Sequence, residues 1–146
     1  MTSIPADAHA KAPWHLWAFG GLMLLWNAFG AFDFTATALQ LEFYLGGFPQ
    51  EFRDYWNRMP IWRWVFWGTA VWTALIGTVL LVLRKPAAVP VLLVSLLAAI
   101  FSMATSYLDE AVPEGASNPI LIAVILLIAL GLWLYARAMA TRGVLA

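Results

Sequence analysis

The sequence predicts an all-α integral membrane protein, a four-transmembrane-helix bundle that forms one domain over residues 1–146. Of the 146 residues, 63% are hydrophobic and 11% are charged, and the mean hydropathy is +0.80. A core of this size cannot bury so much apolar surface, so lipid must solvate much of it. A helix needs ~20 apolar residues to cross the hydrocarbon core. The stretches that qualify are approximately 14–37, 62–83, 89–107 and 119–138.

The composition also excludes several classes of function. A formal net charge of zero argues against nucleic acid as a partner. The absence of cysteine excludes disulfides, thiolate metal sites and a cysteine nucleophile. No paired carboxylates face each other within the membrane, and no phosphate-binding loop or nucleophile motif occurs. We therefore predict no enzymatic activity, no catalytic residue, no metal and no cofactor. His15 could ligate haem, but its place at a span end favours an interfacial side chain.

The distribution of lysine and arginine predicts the orientation, because positive residues near span ends remain cytoplasmic. The loop over residues 41–61 and the segment 108–117 are rich in acids and carry only Arg53 and Arg58 as cations. The other set of span ends carries Asp7 as its single acid. Both termini are therefore predicted to be cytoplasmic in a multi-pass protein. The cations on that side are Lys11, Arg84, Lys85, Arg137 and Arg142.

The first span carries an acid near its outer end. The helical rise places Asp33 about 28 Å from Trp14, close to the outer boundary of the membrane. One hypothesis is a polar lining for a small ligand or ion. The other is an ion pair between Asp33 and Arg63 of the second span, since charges in membranes are usually paired. The candidate ligand-binding residues are Asp33, Arg63, Thr37, Gln40 and Trp26.

The first outer loop is too aromatic to be a solvated linker. Gly46 and Gly47 are expected to end the first helix, Pro49 to open a new one, and Pro60 to end it. Aromatic residues recur at helical spacing between the two prolines. We predict a short amphipathic helix, approximately 49–59, on the periplasmic surface.

Small and polar residues predict how the spans pack. In lipid, close approach and local hydrogen bonds drive helix association. Asn27 is expected to bond to a serine of the third span or a threonine of the second, with ligand contact as the alternative. The fourth span is almost purely aliphatic, so it should be the most lipid-exposed, with Ser117 or Asn118 as its cap. The helix-packing candidates are Asn27, Thr69, Thr73, Gly77, Ser95, Ala99, Ser102 and Ser106.

Several segments resemble a family of short four-helix bacterial inner-membrane proteins, often labelled uncharacterised or, loosely, sugar transporter. They are LLWNAFGAFDF, FPQEF, YW, MPIWRWVFWGTAVW and LLVLRKPAAVPVLLVSLL, and the resemblance covers about residues 24–107. It implies the four-helix architecture and a location in the bacterial inner (cytoplasmic) membrane.

Two functions follow as hypotheses. The first is transport of a small, sugar-like solute as a homo-oligomer, because one four-helix bundle has little volume for a lumen. The second is an accessory or structural subunit that packs against a larger inner-membrane protein complex. Membrane lipid is a partner in both.

Overall fold

The structure is a computed structural model that describes residues 10–146; Asp7 of the predicted cytoplasmic tail lies outside them. Helices are the regular elements of the described chain. They are α1 (Trp14–Ala38), α2 (Glu42–Leu45), α3 (Gln50–Arg58), α4 (Ile61–Val82), α5 (Ala88–Tyr107) and α6 (Pro119–Thr141).

Three of these helices, α4, α5 and α6, are long and apolar enough to cross a membrane. The all-helical class is therefore confirmed, and these three helices are compatible with a membrane protein. Helix α1 has 25 residues but is not in this group, so a fourth span remains a prediction. Helix α3 falls within the segment where an amphipathic helix was expected, and its position on the periplasmic surface remains a prediction.

The long helices pack in the order α1, α4, α5, α6. Close contacts join α1 to α4 and α4 to α5, because glycines remove the side chain at the crossing points. A Cβ on Gly20 would lie 2.7 Å from Val82, and one on Gly77 would lie 2.6 Å from Leu92. The main apolar core gathers near one end of the bundle, where α1 and α6 also meet. Its fully buried members include Leu16, Leu81, Ala136 and Met139.

Local hydrogen bonds fix the helix ends. Asn118 caps α6 by accepting from the backbone of Ile120 at 2.9 Å, and Pro119 is its first residue, as predicted. The prediction that Gly46 and Gly47 end the first helix is wrong. Helix α1 ends at Ala38 and Gln40 follows with φ 51°, while Gly46 closes the separate helix α2.

The two ends of the bundle differ in charge. We call the end with residues 39–60 and 108–118 the acidic end, since every aspartate and glutamate of residues 10–146 lies at or near it. The basic end comprises residues 10–13, 83–87 and 142–146. It carries cationic side chains and none of the aspartates and glutamates of the described chain.

Candidate functional site

Arg63 organises a polar cluster at the acidic end. Pro60 precedes α4, so Arg63 lies in its first turn and extends toward the loop after α5. Its guanidinium donates to the Asp109 carboxylate and to the Tyr55 hydroxyl, both at 2.5 Å, and to the Thr105 carbonyl at 2.6 Å. The Arg63 side chain is only 10% exposed. We call Tyr55, Arg63, Thr105 and Asp109 the Arg63 cluster; it joins α3, α4 and the end of α5.

The charges of the Arg63 cluster act on its titratable groups. The backbone N–H of Ala111 donates to Asp109 at 3.0 Å and is the main reason that the pKa of this carboxyl is lowered. Burial opposes that effect, and Arg63 adds to it. Burial raises the pKa of Tyr55, against the attraction of Arg63. Asp109 is therefore ionised and Tyr55 neutral near pH 7, which leaves the cluster electrically balanced.

The predicted ion pair between Asp33 and Arg63 is wrong, because Arg63 pairs with Asp109 instead. Asp33 accepts a hydrogen bond from the Tyr44 hydroxyl of α2. Burial is the main reason that the pKa of Tyr44 is raised, and the neighbouring Asp33 raises this pKa further. Asp33 lies near the acidic end of α1, as its position in the sequence indicates. Its partner, however, is a phenol and not a guanidinium.

Thr37 and Gln40 line a small cleft between the end of α1 and α3. The Thr37 hydroxyl is buried and donates to the Asp33 carbonyl at 2.7 Å. Gln40 donates through Nε2 to the Asn57 side chain at 2.5 Å. Helices α2 and α3 are held together beside the cleft, as Arg53 donates to both oxygens of Glu42 at 2.9 and 3.0 Å. The cleft is lined by Thr37, Gln40, Leu45, Arg53, Trp56 and Asn57.

The size of this cleft limits what it can hold. Its volume is about 30 Å³. One molecule of liquid water occupies a similar volume. Pockets for small-molecule ligands are typically ~300–1,000 Å³. A sugar does not fit the cleft in this conformation. Trp26, the remaining candidate ligand residue, lies about three turns from Thr37 along α1 and is 42% exposed.

The predicted packing residues lie along the α1, α4 and α5 contacts. Asn27 is buried and donates to the Thr78 hydroxyl of α4 at 2.9 Å, so an α4 threonine is its partner. Ser95 of α5 donates to the Ala70 carbonyl of α4 at 2.7 Å. Gly77 and Ala99 are also buried. The half-buried members of the set are Thr69, Thr73, Ser102 and Ser106.

Sequence reasoning missed a second arginine-centred group at the basic end. Arg84 donates through Nε to the Val144 carbonyl at 3.0 Å and through Nη2 to the Ala10 carbonyl at 2.9 Å. Its own carbonyl accepts from the Ala146 backbone at 2.8 Å. We call these residues the Arg84 cluster. It ties the segment before α1 and the segment after α6 to the turn between α4 and α5.

Weak signals could have identified part of these contacts. Arg63 and the acid-rich segment 108–117 are both predicted to lie toward the outer side, so Asp109 was an available partner at a matching depth. His15 and Tyr135 lie toward those ends of the predicted spans 14–37 and 119–138 that share the cytoplasmic side in the predicted topology, and they share a hydrogen bond of 2.6 Å. The Arg84 partners are backbone carbonyls, which every residue carries, so the sequence contains no signal for them.

A comparison of the chain with protein-family models, curated proteins and solved structures found no match.

Proposed function

We propose that this protein is a non-enzymatic accessory subunit that packs against a larger protein complex in the bacterial inner membrane. The observation that carries the proposal is the uneven burial of α6. From Pro119 to Gly131 no residue is buried, whereas Leu132, Ala136 and Met139 at the other end of the helix are buried in the core. The first half of α6 therefore offers an apolar surface that its own chain leaves open.

The proposal includes α1 as a fourth span, with both termini cytoplasmic. Its support is the contact of α1 with α4 over more than half the length of each helix. Gly20 lies against Val82 near the basic end, and Phe34 would contact a Cβ on Gly68 at 2.7 Å near the acidic end. A helix that accompanies a membrane-crossing neighbour over this length occupies the same depth.

Helix α3 is proposed to lie on the periplasmic surface as an aromatic cover of the bundle. Its support is the aromatic packing that joins it to α2. The ring of Phe48 lies 5.3 Å from Tyr44 and 5.2 Å from Trp56, measured between centroids. Amphipathic rings of this kind are favoured at the membrane interface, where one edge is apolar and the other is hydrated.

A crosslinking experiment tests the subunit hypothesis. A photo-crosslinking amino acid replaces Leu127, which is 66% exposed on α6, and in a control it replaces Leu25, which is 75% exposed on α1. After illumination of native membranes, we expect a defined second protein to be attached at position 127 and lipid alone at position 25. Lipid alone at both positions would reject the proposal.

Transport of a small solute by a homo-oligomer is the second candidate, in which the polar side chains of Thr37 and Gln40 would line part of a path shared between copies. Since one copy holds only a water-sized cleft, the path would run between copies. Crosslinks at position 127 to a second copy of the chain would support this candidate. Proteoliposomes would then be tested for glucose uptake, which Asp33→Asn should abolish; no uptake by the wild-type protein would reject transport of this sugar.

A further inference from the structure

The cations of the basic end lack aspartate and glutamate partners within the described chain. Both ion pairs of residues 10–146 lie at the acidic end, Arg53 with Glu42 and Arg63 with Asp109. At the basic end Arg84 donates to backbone carbonyls only. Near that end, on α6, the Arg137 guanidinium lies over the Trp133 ring, 4.9 Å from its centroid. These contacts are neutral, so the positive charge there is not compensated by side chains of the described chain.

A depression at this end brings two of the cations together. It has a volume of about 290 Å³, opens widely to the surface and is lined by Leu83, Arg84, Lys85 and Ala146. Lys85 is exposed, and Arg84 is half-buried. A phosphate group is much smaller than this space, so the depression can admit one together with part of the molecule that carries it.

Backbone hydrogen bonds fix the turn that carries Arg84 and Lys85. Arg84 has φ 60°, and the amides of Arg84 and Lys85 donate back to the carbonyls of Leu81 and Leu80 at 3.0 and 2.8 Å. This is the hydrogen-bond pattern that closes a helix at a left-handed residue. Arg84 uses two guanidinium N–H groups on the described chain, and an arginine has five. The others have no partner among residues 10–146.

The depth of the depression identifies the class of anion. Helix α4 has 22 residues and is apolar enough to cross a membrane. Its length is therefore about 33 Å, close to the ~30 Å of the hydrocarbon core. Arg84 and Lys85 follow its last turn and so lie at the level of the lipid headgroups. The phosphates at this level belong to phospholipids.

From these observations we propose that the depression between the α4–α5 turn and residue 146 binds the phosphate of an anionic phospholipid headgroup. Lys85 is the principal charged contact, and Arg84 contributes its unused N–H groups while it holds the segments before α1 and after α6. Leu83 provides an apolar wall for the adjoining part of the lipid. This proposal requires α4 to cross the membrane, but it does not depend on the subunit or transport hypotheses.

Lipid titration followed by native mass spectrometry tests the proposal. The purified protein is titrated in mild detergent with phosphatidylglycerol or phosphatidylcholine, and bound lipids are counted. We expect phosphatidylglycerol to bind preferentially. Lys85→Gln should weaken its binding about fivefold, the effect of one cation near an anionic surface. Arg58→Gln is the matched control, since Arg58 is an exposed arginine of the acidic end.

Each outcome decides the proposal. Preferential phosphatidylglycerol binding that falls in Lys85→Gln and persists in Arg58→Gln supports it. Equal losses in both variants would show nonspecific attraction, and no loss in Lys85→Gln would exclude the depression as the site. Displacement of the lipid by millimolar inorganic phosphate would assign the site to free phosphate and overturn the lipid assignment. Arg84→Gly, which suits the positive φ, provides a second variant with the same expected loss.

Discussion

The two ends of the bundle use the same residue type in opposite ways. At the acidic end Arg63 binds a carboxylate, a phenol and a carbonyl, so its charge is neutralised within the chain. At the basic end Arg84 binds two carbonyls, so it joins three segments while its charge remains uncompensated by the described side chains. The comparison shows that an arginine can hold a fold together with or without an acid, and that only the second kind stays available for an external anion.

The long helices also differ in the residue that adopts a positive φ after the last helical turn. Helices α1, α4 and α6 are each followed by a residue with positive φ. The amide of that residue and the amide of the next residue donate to carbonyls of the last helical turn. Helix α6 uses Gly143, the residue that adopts this conformation without strain. Helices α1 and α4 use Gln40 and Arg84. The Gln40 side chain reaches Asn57, and the Arg84 side chain reaches the segments before α1 and after α6. A cross-segment hydrogen bond therefore accompanies a strained backbone at both positions.

The largest loss of stability is expected from Arg63→Met, because this change leaves Asp109 and Tyr55 without their hydrogen-bond donor. Loss of one partner of a half-buried ion pair should lower the free energy of unfolding by about 2–3 kcal/mol. Denaturation in mixtures of sodium dodecyl sulfate and mild detergent, followed by helicity, measures it. Arg58→Met at the same end should change stability by less than about 0.5 kcal/mol. Equal stabilities for the two variants would contradict the role of Arg63.

At the basic end, Arg84→Gly and Arg84→Ala separate the side chain from the backbone. The glycine variant loses the guanidinium bonds but keeps the positive φ, and we expect a loss of about 1–2 kcal/mol. The alanine variant should lose roughly 1 kcal/mol more, because it also carries the strain of a left-handed residue. The same denaturation assay applies. An alanine variant as stable as the glycine variant would argue against strain at this position.

Acid should weaken the acidic end selectively. The lowered pKa of Asp109 means that its contribution to stability is complete above the usual carboxyl range and is lost as the pH falls through the lowered value. Amide hydrogen exchange between pH 6 and pH 3, corrected for intrinsic rates, should show increasing opening of residues 108–112. Asp109→Asn should remove this pH dependence. A similar response of residues 83–87 to acid would contradict the assignment to Asp109.

The smallest change in stability is expected from Gln40→Gly. Glycine relieves the positive φ and removes an exposed side-chain bond to Asn57, so the two contributions nearly cancel and the change should stay within about 0.5 kcal/mol. Asn57→Ala removes the bond alone and should be the more destabilising of the two. The reverse order would show that Gln40 is not strained.

The sequence alone determined the all-helical class, the presence of helices apolar enough to span a membrane and the bounds of the long helices within a few residues. It also narrowed the cap of α6 to Ser117 or Asn118, and the structure selects Asn118. These features depend on hydropathy, length and neighbouring residues, all of which are local. The tertiary structure decided which polar groups meet. Asp33, Asp109 and Arg63 all lie near one face, and their depth does not reveal that a tyrosine takes the first acid and the arginine takes the second. That choice depends on helix rotation and loop path, and the Arg84 partners are carbonyls that every residue possesses.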